Sequence, residues 1–180
     1  MPRLPYVPQD IAEPKELIDA IRTRRGGRLL NLDRMLLHSP AFARGWNTLL
    51  REVRGGLAVP PKLRELAICV VAVLNHAEYE FAHHAPEFLR AGGTDAQVDA
   101  MRRIDDAVDS ESGFDAAEHA VMRLAVAMTR EVRVSDATLA AARAAVADDQ
   151  QLVEIVGVIA TYNMVSRFLV ALDVGVETTP

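Results

Sequence analysis

The feature that most constrains the fold is the spacing of apolar residues between Leu63 and Leu74. They recur every three or four positions, which predicts a helix with one apolar stripe facing a core. Similar patterns, separated by glycine and proline residues, follow one another along the chain, and no run shows the sustained alternation of a half-buried strand. The sequence therefore predicts an all-α fold of about eight helices, in which alanine-rich segments pack closely.

Four prolines stand within the first 15 residues, at Pro2, Pro5, Pro8 and Pro14. Because proline removes a backbone donor and biases its neighbours to extended conformations, residues 1–15 are expected to form an arm, which could lie on a neighbouring subunit. The polar segment from Asp105 to Asp115 predicts a surface loop. With 180 residues and about half of them hydrophobic, the chain is long enough for one sizeable core, so we expect a single domain over residues 1–180.

Charge and composition restrict the classes of partner. The formal net charge of -5 and a pI near 5.5 argue against a nucleic-acid or anionic-membrane binder, since such partners need positive potential. The basic run Arg22–Arg28 is interpreted as a solvated face, with an acidic-ligand or nucleic-acid patch as the alternative. A single cysteine, no apolar run near the roughly 20 residues of a membrane span, and no secretory pattern at the N-terminus predict a cytoplasmic protein.

Ionisable side chains lie in and just after the apolar stretch. Glu65 shares the flank of the first helix with Cys69, and Asn75 with Glu78 matches the capping box of a second helix. That second helix carries Glu80 and His84 at i and i+4, on one face. Two carboxyl groups and an imidazole in a semi-buried setting are the components of a proton-transfer site. The alternative is that Glu80 and His84 form a surface pair and Glu65 pairs with an arginine.

Other chemistries receive weaker support. His76, Glu80 and His84 align at i, i+4 and i+8, and Glu80 with His83 has Glu-x-x-His spacing, but a di-iron bundle needs a second such motif and further helix-borne carboxylates. No matching partner occurs, so we expect neither a metal nor a cofactor. Cys69 is read as a small buried residue, or else as a single peroxidatic thiol; a neighbouring carboxylate raises a thiol pKa and disfavours the second reading.

Polar residues also interrupt the apolar run of the last predicted helix. They are Tyr162, Asn163, Ser166 and Arg167. Asn163 and Arg167 share a face at i and i+4. They are interpreted as a buried hydrogen-bond network or an oligomer contact, and alternatively as the lining of a pocket opposite His84.

These residues resemble the carboxymuconolactone decarboxylase family, which includes the alkyl hydroperoxidase D branch. The resemblance extends from about Asn31 to Val174 and is strongest over residues 64–68, 77–84 and 162–168. In the hydroperoxidase branch the motif is a glutamate, eleven residues, a Cys-x-x-Cys pair, three residues and a histidine. Here the same spacing reads Glu65, Ala77, Glu80, His84, so both cysteine positions are lost and a dithiol peroxidase is excluded.

The resemblance implies an alkyl hydroperoxidase D-like helical bundle and acid–base chemistry, as in the decarboxylase branch. It implies His84 as the general acid/base, Glu65 as its orienting or relay carboxylate and Glu80 as the second acid/base group. Substrate contacts are expected from Tyr79, His83, Asn163 and Arg167.

The expected function is a cofactor-free lyase or isomerase acting on a small carboxylate or lactone. Two alternatives remain: a non-catalytic ligand-binding or scaffold member of the family, and a single-thiol hydroperoxidase acting through Cys69. The family also implies a homo-oligomer, a trimer or hexamer, with pockets near the subunit contacts.

Overall fold

A computed structural model describes residues 1–110 and 113–177, which form ten helices and no strand. In chain order they are α1 Lys15–Arg24, α2 Asn31–Leu36, α3 Pro40–Gly55, α4 Pro61–Leu74, α5 Glu78–Arg90, α6 Asp95–Met101, α7 Ile104–Asp109, α8 Ala116–Arg130, α9 Asp136–Ala144 and α10 Asp149–Leu172. The all-α prediction is confirmed. The number of helices exceeds the predicted eight.

The chain is organised as two compact units. The first comprises residues 1–56 together with the chain from residue 171 onward, and the second comprises residues 57–170. A single domain over residues 1–180 stays a prediction.

In the first unit, the proline-rich arm precedes α1 and binds to its own unit. The amino group of Met1 lies 3.0 Å from Oδ2 of Asp173, and Nε of Arg34 donates to the backbone carbonyl of Val7 at 2.7 Å. These bonds supply partners to backbone groups that the arm, without helix or strand, does not satisfy internally.

The basic run in the first unit is structural. Nη2 of Arg22 donates to the carbonyl of Gln9 at 2.7 Å. Arg24 and Arg25 both pair with Asp33, which is 2% exposed, at 3.4 and 3.1 Å. Because a buried carboxylate needs a cationic partner, the prediction of a solvated face is wrong for Arg24 and Arg25.

Helix α4 is the central element of the second unit and packs against α5 and α8. Every residue from Leu66 to Ala72 is completely buried. The segment is apolar on all sides, and such a helix lies inside a core instead of on its edge. The expected single buried stripe is therefore too narrow, and Glu65 and Cys69 lie in the interior.

The start of α5 differs from the sequence prediction. Asn75 ends α4, and its side chain donates to Oδ1 of Asn163 at 3.0 Å, while α5 begins at Glu78 after Ala77. The predicted capping box of Asn75 with Glu78 is therefore wrong. Thr94, by contrast, does form a capping box at the start of α6, where its side chain accepts from the backbone N–H of Gln97 at 3.2 Å.

The segment predicted as a loop between Asp105 and Asp115 contains most of α7. Gly113 has a φ of 91°, which suits a chain reversal that glycine alone adopts without strain. Asp115 then caps α8 by accepting from the backbone of Glu118 at 2.8 Å. Residues 111 and 112, which also belong to the predicted loop, lie outside the described residues.

Helix α10 is long and apolar enough to cross a membrane by length and composition, with a mean hydropathy of 1.7 over 18 residues. The prediction that no run has this property is wrong. Core helices of globular proteins pass the same test, and 44% of this window is buried. The helix also carries the buried polar residues Asn163 and Ser166, which bond to other helices of the second unit.

Candidate acid–base site

Glu65 and His84 form a buried pair between α4 and α5. Nδ1 of His84 donates to Oε2 of Glu65 at 2.7 Å, and the two residues are 5% and 4% exposed. Nε of the preceding Arg64 donates to the other oxygen of Glu65 at 3.3 Å. Two residues that are 19 positions apart in the sequence thus meet because α4 and α5 pack side by side.

The environment of Glu65 favours its ionised form. Burial opposes ionisation, but the hydrogen bond and charge of His84, together with Arg64, outweigh it, so the pKa of Glu65 is held below its usual range. A carboxylate that accepts from Nδ1 fixes the tautomer and orientation of an imidazole. Glu65 therefore orients His84.

Glu80 is also buried, at 2% exposed, but has a different environment. Oγ of Ser166, on α10, donates to Oε1 of Glu80 at 2.9 Å, and Oε2 has no hydrogen-bond partner among the described residues. Burial raises the pKa of Glu80 well above its usual range, although the bond from Ser166 acts in the opposite direction. The two carboxyl groups are thus driven toward opposite protonation states, which is the pattern of an acid–base pair.

Cys69 lies near both carboxyl groups and is completely buried on α4. Burial is the main cause that raises the pKa of its thiol far above the usual range, and the charge of Glu65 adds to it. Because the thiolate is the nucleophile in thiol chemistry, a buried thiol in this state is inert.

Two aromatic contacts involve residues of α5. The rings of Tyr79 and His83 stack with centroids 4.3 Å apart, and Nδ1 of His83 donates to the carbonyl of Tyr79 at 2.7 Å. The ring of Tyr162 on α10 meets His84 edge to face at 4.9 Å. Tyr79 and His83 thus lie on α5 beside the site, and Tyr162 joins it from another helix.

Asn163 and Arg167 take part in a hydrogen-bond network. Nδ2 of Asn163 donates to Oγ1 of Thr129 and to the carbonyl of Ile159, both at 3.0 Å. Its Oδ1 accepts from Asn75 at 3.0 Å and from Nη1 of Arg167 at 2.9 Å. These bonds tie α4, α8 and α10 together, which matches the structural interpretation; a substrate contact for either residue stays a prediction.

The aligned histidine pattern is not formed. His76 lies before α5 with a φ of 56°, so it does not continue the helical face of Glu80 and His84. In the described part of the chain, no three His, Cys, Asp or Glu side chains lie close enough together to hold a metal ion.

The chain has the helical fold of alkylhydroperoxidase AhpD-like proteins. Its backbone is similar to an uncharacterized peroxidase-related protein from Silicibacter sp. TM1040, with a TM-score of 0.80 and 18% identity over 98% of this chain and 92% of that one. A peroxidase-related protein from Ralstonia eutropha JMP134, described as an AhpD core, gives 0.81 and 18% over 98% and 92%. The debrominase Bmp8, in complex with 2,3,4-tribromopyrrole, gives 0.79 and 16% over 99% and 95%.

One segment of the chain also matches a family by sequence. Residues 40–121 match the carboxymuconolactone decarboxylase family, and this segment contains Glu65, Glu80 and His84. The predicted resemblance to this family is therefore confirmed over that segment, and the single cysteine of the chain is consistent with the predicted loss of the Cys-x-x-Cys pair. A comparison with curated proteins finds no match.

The sequence analysis interpreted Tyr162 and Ser166 as part of a buried network, an oligomer contact or a pocket lining, without naming a partner for either. Both residues are buried on α10, and Ser166 bonds to Glu80 of α5, 86 positions away. The available signal was a serine one helical turn from Tyr162 inside a core helix, because a buried hydroxyl requires a polar partner. Its partner was not predictable without the packing of α10.

Proposed function

We propose that this protein is a cofactor-free acid–base enzyme, of carboxy-lyase type, acting on a small carboxylate or lactone. The observation that carries the proposal is the buried bond between His84 and Glu65 beside a carboxyl group with a raised pKa. With Nδ1 of His84 donating to Glu65, Nε2 is the nitrogen that exchanges a proton with substrate. Glu80 is the second acid/base group.

The chemistry required is simple. Loss of carbon dioxide breaks a carbon–carbon bond and leaves its electron pair on the substrate as an enolate, which a positioned acid then protonates. An oriented imidazole and a protonated carboxyl group supply that acid without a cofactor. The family match supports a carboxylate or lactone substrate, and the tribromopyrrole held by the debrominase of similar fold supports a small cyclic one.

Substrate contacts, assembly and location are part of the proposal. Tyr79 and His83 on α5, with Asn163 and Arg167 on α10, contact the substrate. The protein works as a homo-oligomer, a trimer or hexamer, without nucleic-acid or membrane partners, in the cytoplasm.

The test uses carboxymuconolactone, followed by a panel of small β-oxo carboxylates and lactones, with release of carbon dioxide as the signal. His84→Gln should lower kcat/KM by about 10²- to 10⁴-fold, the usual contribution of general acid–base catalysis. Glu65→Gln should cause a smaller loss, since it acts by orienting His84. The exposed His38, which bonds to the carbonyl of Pro5, provides the control: His38→Gln should keep full activity.

Turnover that survives in folded His84→Gln would refute the proposal. A ligand that is not turned over and that binds with the same affinity to the parent, His84→Gln and Glu65→Gln would favour the alternative of a non-catalytic ligand-binding protein. A hydroperoxidase acting through Cys69 is disfavoured by the complete burial of that thiol. Peroxide turnover by the parent that disappears in Cys69→Ser would support the single-thiol hydroperoxidase instead.

A further inference from the structure

Glu80 differs from the other buried carboxyl groups in its partners. Among the described residues, four carboxyl side chains are buried to less than one-tenth exposure. Three of them have a cationic partner: Asp33 with Arg25 at 3.1 Å, Glu65 with Arg64 at 3.3 Å, and Glu118 with Lys62 at 2.5 Å. Glu80 has only the uncharged hydroxyl of Ser166. Since an ionised carboxylate is rarely buried without a cation or several donors, this environment selects the neutral acid.

The surrounding groups do not supply the missing charge. Cys69 on α4 is near both Glu65 and Glu80, and its thiol is kept protonated by burial. His84 lies one turn further along α5, but its Nδ1 is bonded to Glu65. The charge of Arg102 lowers the pKa of the Cys69 thiol, but this arginine forms its ion pair with Glu78 and not with Glu80.

We propose that Glu80 is a neutral carboxylic acid in the folded protein, that its proton resides on Oε2, and that Ser166 is the positioning residue that fixes this arrangement. The bond from Ser166 Oγ makes Oε1 the carbonyl-type acceptor, so the proton belongs to the other oxygen. Oε2 is also the oxygen with no partner of its own within the described chain. It is therefore the atom able to donate to a bound molecule.

This arrangement, which rests on the proposed function, assigns the proton donor of the proposed reaction. With Glu80 neutral, the charges of Arg64 and Glu65 cancel, and the site does not repel an anionic substrate. The acid that protonates the enolate is then Oε2 of Glu80. When the carbon–carbon bond breaks, carbon dioxide leaves and the electron pair stays on the enolate; the Oε2–H bond then breaks as the new C–H bond forms, and the Glu80 carboxylate regains its proton from water.

The experiment is infrared difference spectroscopy on the full-length protein at pH 7, without substrate. Glu80→Gln should remove a protonated-carboxyl C=O band. Ser166→Ala should keep that band but shift it to higher wavenumber and raise the apparent pKa of Glu80, because a hydrogen bond to Oε1 is lost. Ser166→Thr, which retains a hydroxyl, should restore both values. Glu118→Gln is the matched control, a buried glutamate with a lysine partner, and should remove only a carboxylate band.

Loss of a carboxylate band in Glu80→Gln at pH 7 would overturn the neutral state. A band that Ser166→Ala does not shift would overturn the role of Ser166. If Glu80→Gln does not fold, the parent protein is labelled with ¹³C at its glutamate carboxyl groups and measured by NMR at pH 7. One glutamate carboxyl carbon should then have the chemical shift of a protonated acid. A spectrum in which every glutamate is ionised would overturn the inference. Because the protein is measured without substrate, failure here leaves His84 chemistry open, and a lack of turnover leaves this inference intact.

Discussion

Glu65→Gln tests whether the bond between α4 and α5 depends on charge. Glutamine has nearly the same shape as glutamate, so the substitution leaves packing in place and removes the negative charge. It changes a charge-assisted bond from His84, 2.7 Å long, into a neutral one, and weakens the longer 3.3 Å bond from Arg64. Burying the charge of Glu65 opposes the stabilisation that its bonds to His84 and Arg64 provide. The lowered pKa of Glu65 nevertheless means that the folded state favours the ionised form.

The size of the effect follows from these contacts. A hydrogen bond to a charged group contributes about 1.5–3 kcal/mol, and a neutral one about 1 kcal/mol. The difference between these two values, together with the weakened bond from Arg64, predicts that Glu65→Gln lowers the free energy of unfolding by about 2 kcal/mol at pH 7. For a chain of 180 residues, this lowers Tm by roughly 4–8 °C.

The pH dependence distinguishes charge from packing. The pKa of Glu65 is lower in the folded state than in the unfolded state, where it is about 4.3, so the unfolded chain binds more protons in acid. The stabilisation is therefore fully present above pH ~4.3 and is lost as pH falls through the folded pKa. Urea unfolding of the parent and Glu65→Gln should give stabilities that differ at pH 7 and converge as pH falls through the folded pKa of Glu65.

A difference in stability that is equal at pH 7 and in acid would refute this reasoning, because a packing defect has no such pH dependence. Glu87→Gln is the control on α5, since its ion pair with Arg90 lies at the surface. Surface pairs contribute about 0–1 kcal/mol, so this variant should unfold almost like the parent.

Three further outcomes are expected. Burial raises the folded pKa of Glu80, so the parent should lose stability relative to Glu80→Gln as pH rises above ~4.3, by up to ~1.4 kcal/mol per pH unit. Urea titrations at several pH values measure this, and a free energy of unfolding that changes with pH equally in both proteins would contradict it. The buried thiol of Cys69 should react with an aromatic disulfide reagent only after unfolding, and fast labelling of native protein would show access. Gly93→Ala should cost about 1–3 kcal/mol in urea, since a Cβ there collides with the ring of Phe88; an unchanged midpoint would mean that the ring moves aside.

Much of the helical fold follows from local signals in the sequence. Pro40 begins α3, Thr94 caps α6 and Ser135 caps α9, and each of these residue types is common at the start of a helix. Gly92 ends α5 with a φ of 98°, a conformation that suits glycine. These features depend on residues within one turn of each other, so they can be read without knowledge of the fold.

The failures have a different origin. The capping box at Asn75 was wrong because its side chain bonds to Asn163, 88 positions away, instead of to the next turn. The single stripe on α4 was wrong because neighbours cover the helix on all sides. A periodic pattern shows which face is apolar but not how many helices will pack around it.

The same division applies to the site. The spacing of Glu65, Glu80 and His84 is a property of the sequence, and it predicted which residues carry ionisable groups into the core. Only the packing of α4, α5 and α10 decided their states: it gave Glu65 a histidine and an arginine, and gave Glu80 only a serine hydroxyl. The physical reason is that protonation depends on burial and partners, which come from residues far apart in the chain.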